Sequence, residues 1–169
     1  MSARVRWLTL FGLGLSPVAP GTIGSLPPVF VLLLLLWISG PQWTLPASLA
    51  LLALLASIVC IRFGAEGEAH FGRKDPGPVV VDEVAGQCIP LLVVPWRSFT
   101  DARGAATGDL RWDLAMAAFA FVAFRAFDIA KPPPIRNVQR IGGGWGILLD
   151  DLIAGALAAV VVGAVAWLA

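Results

Sequence analysis

The chain has 169 residues, of which 58% are hydrophobic and 14% are charged, and its mean hydropathy is +0.83. Soluble domains carry about 25% charged residues, so this composition indicates an integral membrane protein and excludes an ordinary soluble domain. A net charge of +1 with no basic tract gives no indication of nucleic-acid binding. The length fits a single membrane-embedded domain over residues 1–169.

The first segment, residues 7–25, is apolar but is interrupted by glycine and proline, which makes it a poor membrane-spanning helix. It ends directly before the apolar run 26–38. A Gly/Thr/Ser loop at the start of a helix presents free N–H groups and hydroxyls, which suits a phosphate. The alternative is that Ser25 only caps the following helix. We predict a substrate-binding loop that uses Gly21, Thr22, Gly24 and Ser25.

The apolar runs lie at 26–38, 45–61, 84–96, 112–127 and 152–168. A membrane-spanning helix needs about 20 residues, so the shorter runs are expected to be extended by polar neighbours or to be re-entrant. Residues 62–82 form a polar segment between the second and third runs. The pattern predicts an all-α fold, a multi-helical integral membrane bundle with about five apolar helices.

Charged residues concentrate at the end of the fourth run and after it. Arg125, Asp128 and Lys131 stand three residues apart, so on a helix they project from one face. The prolines at 132–134 lack an N–H and clash with the preceding turn, so the helix is predicted to end near Lys131. A glycine run then permits a tight turn. Asp150 and Asp151 are predicted to open the last helix, where negative charge is favoured.

The distribution of charge predicts the topology. If each run crosses the membrane, residues 1–25, 62–83 and 128–151 lie on one side, with Arg125 at its border. Most of the 12 Lys and Arg residues then belong to that side: Arg4, Arg6, Arg62, Arg73, Lys74, Arg125, Lys131, Arg136 and Arg140. By the positive-inside rule this side is cytoplasmic. The polar motifs are therefore predicted to meet at the cytoplasmic face.

Several carboxylates reach this face, and oxygen ligands without His or Cys partners select Mg²⁺ or Mn²⁺. Like charges held close together raise one another's pKa unless a cation neutralises them. We predict a Mg²⁺ site with ligands from Asp82, Glu83, Asp128, Asp150 and Asp151, and Glu66 as a weaker candidate. Lys131, Arg125 and Arg136 are predicted to bind the phosphate oxyanion. The predicted catalytic residues are Asp82, Glu83, Asp128, Lys131 and Asp151.

The residue types exclude several known phosphatase chemistries. The chain has one histidine, neither Cys60 nor Cys88 has an arginine six residues on, and no Asp-x-Asp occurs. A metal-activated water that attacks phosphorus in line remains. Two other interpretations stay open. The charges could form surface pairs without function, or the same carboxylates could serve a small cation- or proton-coupled transporter.

Four blocks of the sequence resemble the phosphatidylglycerophosphatase A family of bacterial membrane enzymes. They are residues 20–25, 75–77 with 82–86, 124–132, and 143–151 with 154–155. The resemblance implies an all-helical fold and Mg²⁺-dependent removal of the terminal phosphate from phosphatidylglycerophosphate, which gives phosphatidylglycerol. Together with the distribution of charge, it predicts a phospholipid substrate drawn from the bilayer of the bacterial cytoplasmic (inner) membrane, with the active site facing the cytoplasm.

Overall fold

The structure, a computed structural model, describes residues 1–38, 43–100, 106–133 and 141–168. The predicted all-α fold is confirmed, with one pair of two-residue antiparallel strands between helices. In chain order the elements are α1 (Ala3–Leu8), a 3-10 helix (Leu10–Leu15), α2 (Pro20–Gly24), α3 (Leu26–Ile38), α4 (Thr44–Phe71), α5 (Val81–Leu92), β1 (Phe99–Thr100), β2 (Ala106–Thr107), α6 (Leu110–Ala130) and α7 (Gly143–Leu168).

Three helical stretches of the described residues are long and apolar enough to cross a membrane. They are Pro20–Ile38, which joins α2 to α3, Thr44–Phe71 and Gly143–Leu168. By contrast, α5 has 12 residues, and at 1.5 Å per residue its length is about 18 Å. It is too short to span about 30 Å of hydrocarbon alone. The membrane bundle is therefore built from long apolar helices and the shorter α5.

α5 lies at the centre of the bundle, packed against α4, α6 and α7, and most of its residues are buried. Its closest approach is to α7. A Cβ on Gly155 would collide with the carbonyl oxygen of Gly86, and one on Gly86 would collide with the Asp151 carbonyl and the Phe124 ring. Glycine at both positions lets the two backbones touch. This contact holds Asp151 against the N-terminal half of α5.

Two predicted helix boundaries are wrong, and both helices extend further towards the polar end of the bundle. α4 continues through the predicted polar segment to Phe71 and ends where Gly72 takes a left-handed conformation (φ 69°). The Ala and Glu residues of its last turns favour helix, and glycine is a common residue just after a helix. α7 begins at Gly143 rather than at the predicted start, Asp150. Asp150 and Asp151 therefore lie about two turns inside α7.

The start of α7 shows why glycines here belong to a helix. A Cβ on Gly144 would collide with the backbone of Cys60 and Ile61 in α4. The N–H of Gly143 donates a hydrogen bond of 3.0 Å to Glu68 Oε2. Tertiary contacts thus override the low helix propensity of glycine. The glycine run provides a packing surface on α4 in addition to the predicted turn.

Residues 20–24 form the short helix α2 instead of the predicted loop. Pro20 occupies the first turn, for which its fixed φ is suited. The N–H groups of Ile23 and Ser25 donate to the carbonyls of Ala19 (3.2 Å) and Gly21 (2.9 Å), so they are not available to a phosphate. Ser25 has helical backbone angles, and its hydroxyl donates to the Gly21 carbonyl at 2.8 Å. It therefore does not act as the N-cap of α3.

Candidate active site

A polar cavity of about 260 Å³ opens at the end of the bundle where α2, α5 and α7 begin and α6 ends. All four sequence blocks contribute to its wall. The predicted residues that line it are Gly21, Asp82, Glu83, Arg125, Asp128, Lys131, Asp150 and Asp151. Segments more than 100 residues apart in sequence thus meet at one site.

Three carboxylates form the centre of the site. Asp82 and Glu83 lie in the first turn of α5, Asp151 projects from α7, and one oxygen of each lies within 4.8 Å of the other two. Asp82 Oδ1, Glu83 Oε2 and Asp151 Oδ2 are buried and have no hydrogen-bond partner in the described part of the chain. Such a buried, unpaired acidic cluster is costly, and a bound cation would neutralise it.

The two acids of α5 also show the electrostatic cost of this arrangement. Burial raises the pKa of the Asp82 carboxyl well above its usual range, and the neighbouring charge of Glu83 raises it further. Burial likewise raises the pKa of Glu83, and the charge of Asp151 adds to the effect. The protein therefore holds these groups where a cation would favour their ionised forms.

Arg125 joins α6 to α2 at the edge of the carboxylate cluster. Its Nη1 donates to Asp128 Oδ2 at 2.5 Å and to Ser25 Oγ at 3.4 Å. Gly21 of α2 lies directly against α5 and α6, because a Cβ there would be 2.5 Å from Glu83 Oε1 and 3.1 Å from Arg125 Nη1. The absence of a side chain at position 21 keeps that part of the cavity open.

Lys131 ends α6, because the right-handed helical conformation is disfavoured for a residue that precedes proline. It takes a left-handed conformation (φ 43°), which is uncommon for a residue other than glycine. Its Nζ donates to Asp150 Oδ2 at 2.7 Å and lies 3.6 Å from Asp75 Oδ2. The turn thus directs Lys131 to α7 and the 72–80 segment, although the i,i+3 spacing suggested a shared face with Asp128. Burial acts to lower the pKa of Lys131, but the hydrogen bond and charge of Asp150 raise it above its ordinary value. Lys131 therefore remains an ammonium ion.

Three of the predicted substrate-binding residues, Thr22, Gly24 and Ser25, do not line the cavity. Gly24 packs closely against Val80, and Ser25 is fully buried behind Arg125. Thr22 is half-buried and does not line the cavity. Arg136 lies outside the described residues. The roles of these residues in binding stay predictions.

Several residues of the site were missed by sequence reasoning. Arg73 and Asp75 line the cavity. Glu68, in the last turn of α4, accepts hydrogen bonds from the N–H groups of Gly143 (3.0 Å) and Asp75 (3.4 Å), so it ties α7 to the segment after α4. Asp75 belongs to the sequence block 75–77, which could have indicated its place in the site. No motif in the sequence around Glu68 indicates its role. Glu66, the weaker metal candidate, instead pairs with Arg4 at 2.6 Å with 43% of its side chain exposed.

Comparison with known proteins agrees with this geometry. The profile of the family described as Phosphatidylglycerophosphatase A matches residues 7–166. The chain is 34% identical over 150 residues to the phosphatidylglycerophosphatase A of Escherichia coli K12, covering 88% of this chain and 75% of that one. It is 36% identical over 158 residues to the enzyme of the same name from Haemophilus influenzae, covering 93% and 85%.

A further relative, from Bacteroides thetaiotaomicron, is provisionally described as a phosphatidylinositol-3-phosphatase. It is 35% identical over 164 residues, covering 94% of this chain and 91% of that one. No solved structure matches the chain at a significant level. With a profile match over most of its length and these relatives, the chain belongs to the phosphatidylglycerophosphatase A family and is a phosphatase, a hydrolase of phosphoric monoesters.

Proposed function

We propose that the protein is a Mg²⁺-dependent lipid phosphatase that hydrolyses the terminal phosphomonoester of phosphatidylglycerophosphate to give phosphatidylglycerol. The observation that carries the proposal is the triad of Asp82, Glu83 and Asp151, each with a buried oxygen that has no partner among the described residues. The triad lies beside Lys131 and Arg125 in one cavity. The names of the Escherichia coli and Haemophilus influenzae relatives support this choice of substrate.

The carboxylate triad fits a divalent cation with oxygen ligands. It offers three oxygens within 4.8 Å of one another, and each of its residues has a buried oxygen without a partner among the described residues. All donors are hard carboxylate oxygens, which Mg²⁺ prefers. When bound, such an ion would stabilise the negative charge on the phosphoryl oxygens and lower the pKa of a water below that of bulk water.

The other two predicted metal ligands have a different place in the proposal. Asp128 accepts a hydrogen bond from Arg125, and Asp150 accepts one from Lys131. These carboxylates fix the two cations at the cavity wall, where the cations are able to bind the equatorial phosphate oxygens. Asp128 and Asp150 thus orient the groups that bind the substrate, and Asp82, Glu83 and Asp151 hold the ion.

The proposed location is the bacterial cytoplasmic membrane, with the cavity at the cytoplasmic face. The N-terminal ends of α2, α5 and α7 and the C-terminal ends of α4 and α6 lie at the cavity end of the bundle. Arg73, Arg125 and Lys131 line the cavity there, and Arg4 and Lys74 belong to segments that pack beside it. An excess of cations at one end is the pattern of a cytoplasmic face.

Phosphate release in detergent tests the proposed function directly. Purified protein is incubated with dioleoyl phosphatidylglycerophosphate, and free phosphate is measured with Mg²⁺ and then with excess EDTA. We expect release with Mg²⁺ and its loss in EDTA. A parallel reaction with phosphatidylinositol 3-phosphate decides the headgroup. Faster release from the inositol lipid would overturn the proposed substrate, and a transporter, which needs a sealed compartment, would release phosphate from neither.

The chain offers a matched pair for the phosphate-binding step, because Lys131 and Lys74 are its two lysines. Lys131 lines the cavity, whereas Lys74 is exposed and does not. Lys131→Met should lower kcat/KM about 10²-fold, as expected when a charged donor to the transition state is removed. Lys74→Met serves as the control. Equal kinetics of the two variants would remove Lys131 from the site.

A further inference from the structure

The rim of the cavity is polar on one side and apolar on another. Arg73, Asp75 and Gly77, in the segment between α4 and α5, form the polar part. Ile129 of α6 lines the same cavity, and yet 70% of its surface is exposed. A large apolar side chain this exposed in a membrane-embedded bundle faces hydrocarbon. The cavity therefore borders both water and lipid.

An apolar strip on α6 leads to this point. Leu114, Val122 and Ile129 are exposed to 47%, 61% and 70%, and steps of seven or eight residues keep them on one side of the helix. Phe124 and Asp128 of the same helix are buried against the bundle. The strip, defined as Leu114, Val122 and Ile129, ends next to the cavity cation Arg125, which is one turn from Ile129.

We propose that the acyl chains of the substrate lie along the Leu114–Val122–Ile129 strip and that Ile129 marks the lateral opening through which the headgroup reaches the cavity. This inference rests on the proposed lipid phosphatase function. A diacyl lipid keeps its chains in hydrocarbon while its phosphate meets Lys131 and the carboxylate triad. Contacts of the chains with the strip then position the phosphate, so that binding energy remote from phosphorus contributes to the rate.

The strip is tested by comparing long-chain and short-chain substrates. For each variant, kcat/KM is measured in mixed micelles with dioleoyl and with dihexanoyl phosphatidylglycerophosphate, and the ratio of the two values is the readout. Ile129→Trp places bulk at the proposed opening. The control is Val160→Trp on α7, because Val160 is 72% exposed and is not part of the cavity.

We expect Ile129→Trp to lower the ratio of long-chain to short-chain kcat/KM roughly tenfold. Only the long acyl chains contact the strip, so only the long-chain substrate has its phosphate misplaced, and such a displacement lowers the rate about that much or more. Val160→Trp should leave the ratio within about twofold of wild type, as expected for a lipid-facing substitution away from the site. Equal ratios for the two variants would overturn the inference. If the wild-type protein releases phosphate from neither lipid, the proposed function itself fails.

A second variant separates the effect of bulk at position 129 from any effect of the substitution on folding. Ile129→Cys is purified in its folded form and then modified with methyl or decyl methanethiosulfonate, while Val160→Cys receives the same reagents. The native Cys60 and Cys88 are buried, so the introduced thiol is the accessible one. The decyl adduct at 129 should lower the substrate ratio more than the methyl adduct does. No dependence on adduct length at 129, or the same dependence at 160, would overturn the inference.

Discussion

α6 carries a buried carboxylate near each end, and the two are surrounded in opposite ways. Asp113 is fully buried, and its two oxygens accept the N–H groups of Arg97 (2.9 Å) and Ser98 (2.8 Å). Asp128 stands at the other end beside a cluster whose buried oxygens include several without a hydrogen-bond partner in the described chain. Both ends have buried charge, but at the Asp113 end both oxygens of the acid are satisfied by backbone.

The difference shows how a structural acid is distinguished from a functional one. A carboxylate whose oxygens are all satisfied by main-chain N–H groups contributes to stability, because burial of an unpaired group would be costly. Asp113 does this by fastening the segment after α5 to the first turn of α6. Unpaired oxygens held together at Asp82, Glu83 and Asp151 are costly to the fold, and the proposed cation would offset that cost.

The largest expected effect comes from the cluster itself. Asp82→Asn should lower kcat about 10²–10³-fold, because a charged group that serves the transition state is lost. In EDTA the variant should be no less stable than wild type, since one of several repelling buried charges is removed. Mg²⁺ should raise the apparent Tm of wild type and not that of the variant. Near wild-type rates at low Mg²⁺ would make the cluster a structural feature like Asp113.

A smaller effect is expected from a substitution at Gly21, where the backbone of α2 lies against the carboxylate cluster. Gly21→Ala would place a Cβ 2.5 Å from Glu83 Oε1. The resulting shift should lower kcat/KM about tenfold or more. Gly163→Ala in α7 is the control, since its Cβ would meet one Val93 methyl at 4.0 Å. If both alanine variants have wild-type kcat/KM, Gly21 does not shape the site.

The opposite end of α6 should respond in stability alone. Asp113→Asn replaces an acceptor of the Arg97 or Ser98 N–H with a donor, which should cost about 1–3 kcal/mol of unfolding free energy. The measurement is the apparent Tm in detergent together with kcat per folded molecule. The Tm should fall while kcat is retained. A large loss of kcat at unchanged Tm would contradict the division between the two ends.

The smallest effect is expected at Glu66, once a weaker candidate for the metal site. Its pair with Arg4 is exposed on both sides, and such pairs contribute about 0–1 kcal/mol. Glu66→Gln should leave the Mg²⁺ concentration for half-maximal activity unchanged. A clear increase in that concentration would indicate that Glu66 contributes to cation binding.

The sequence predicts which residues line the cavity better than it predicts which of them contact one another. Charge in an apolar chain is informative in itself, so Asp82, Asp128, Lys131 and Asp151 could be selected, and the prolines correctly end α6 near Lys131. Glycine was misleading, because residues 20–24 and the start of α7 are helical where local propensity predicts loops. Their neighbours in space, not in sequence, stabilise these helices.

The sequence near a charged residue also did not predict which residue it contacts when that partner is distant in sequence. Lys131 pairs with Asp150 across 19 residues, and Glu68 reaches Gly143 across 75. Helical spacing predicted Arg125–Asp128, which is present, because both residues belong to one regular helix. It could not predict a contact that depends on the left-handed turn at Lys131 or on the packing of α7 against α4.

The contact between Gly86 and Gly155 has a consequence for the size of the cation that the proposed site would accept. The backbones of α5 and α7 touch there, about one helical turn from both Asp82 and Asp151, so a change in their separation would also move these two acids apart. Mg²⁺ requires oxygens at 2.0–2.1 Å, and Ca²⁺ accepts about 2.3–2.6 Å. A methyl group at 155 would separate the two backbones, so Gly155→Ala should shift activation from the proposed Mg²⁺ towards Ca²⁺, measured as phosphate release with each ion. Selectivity for the size of the ion would then reside in two residues that have no side chain.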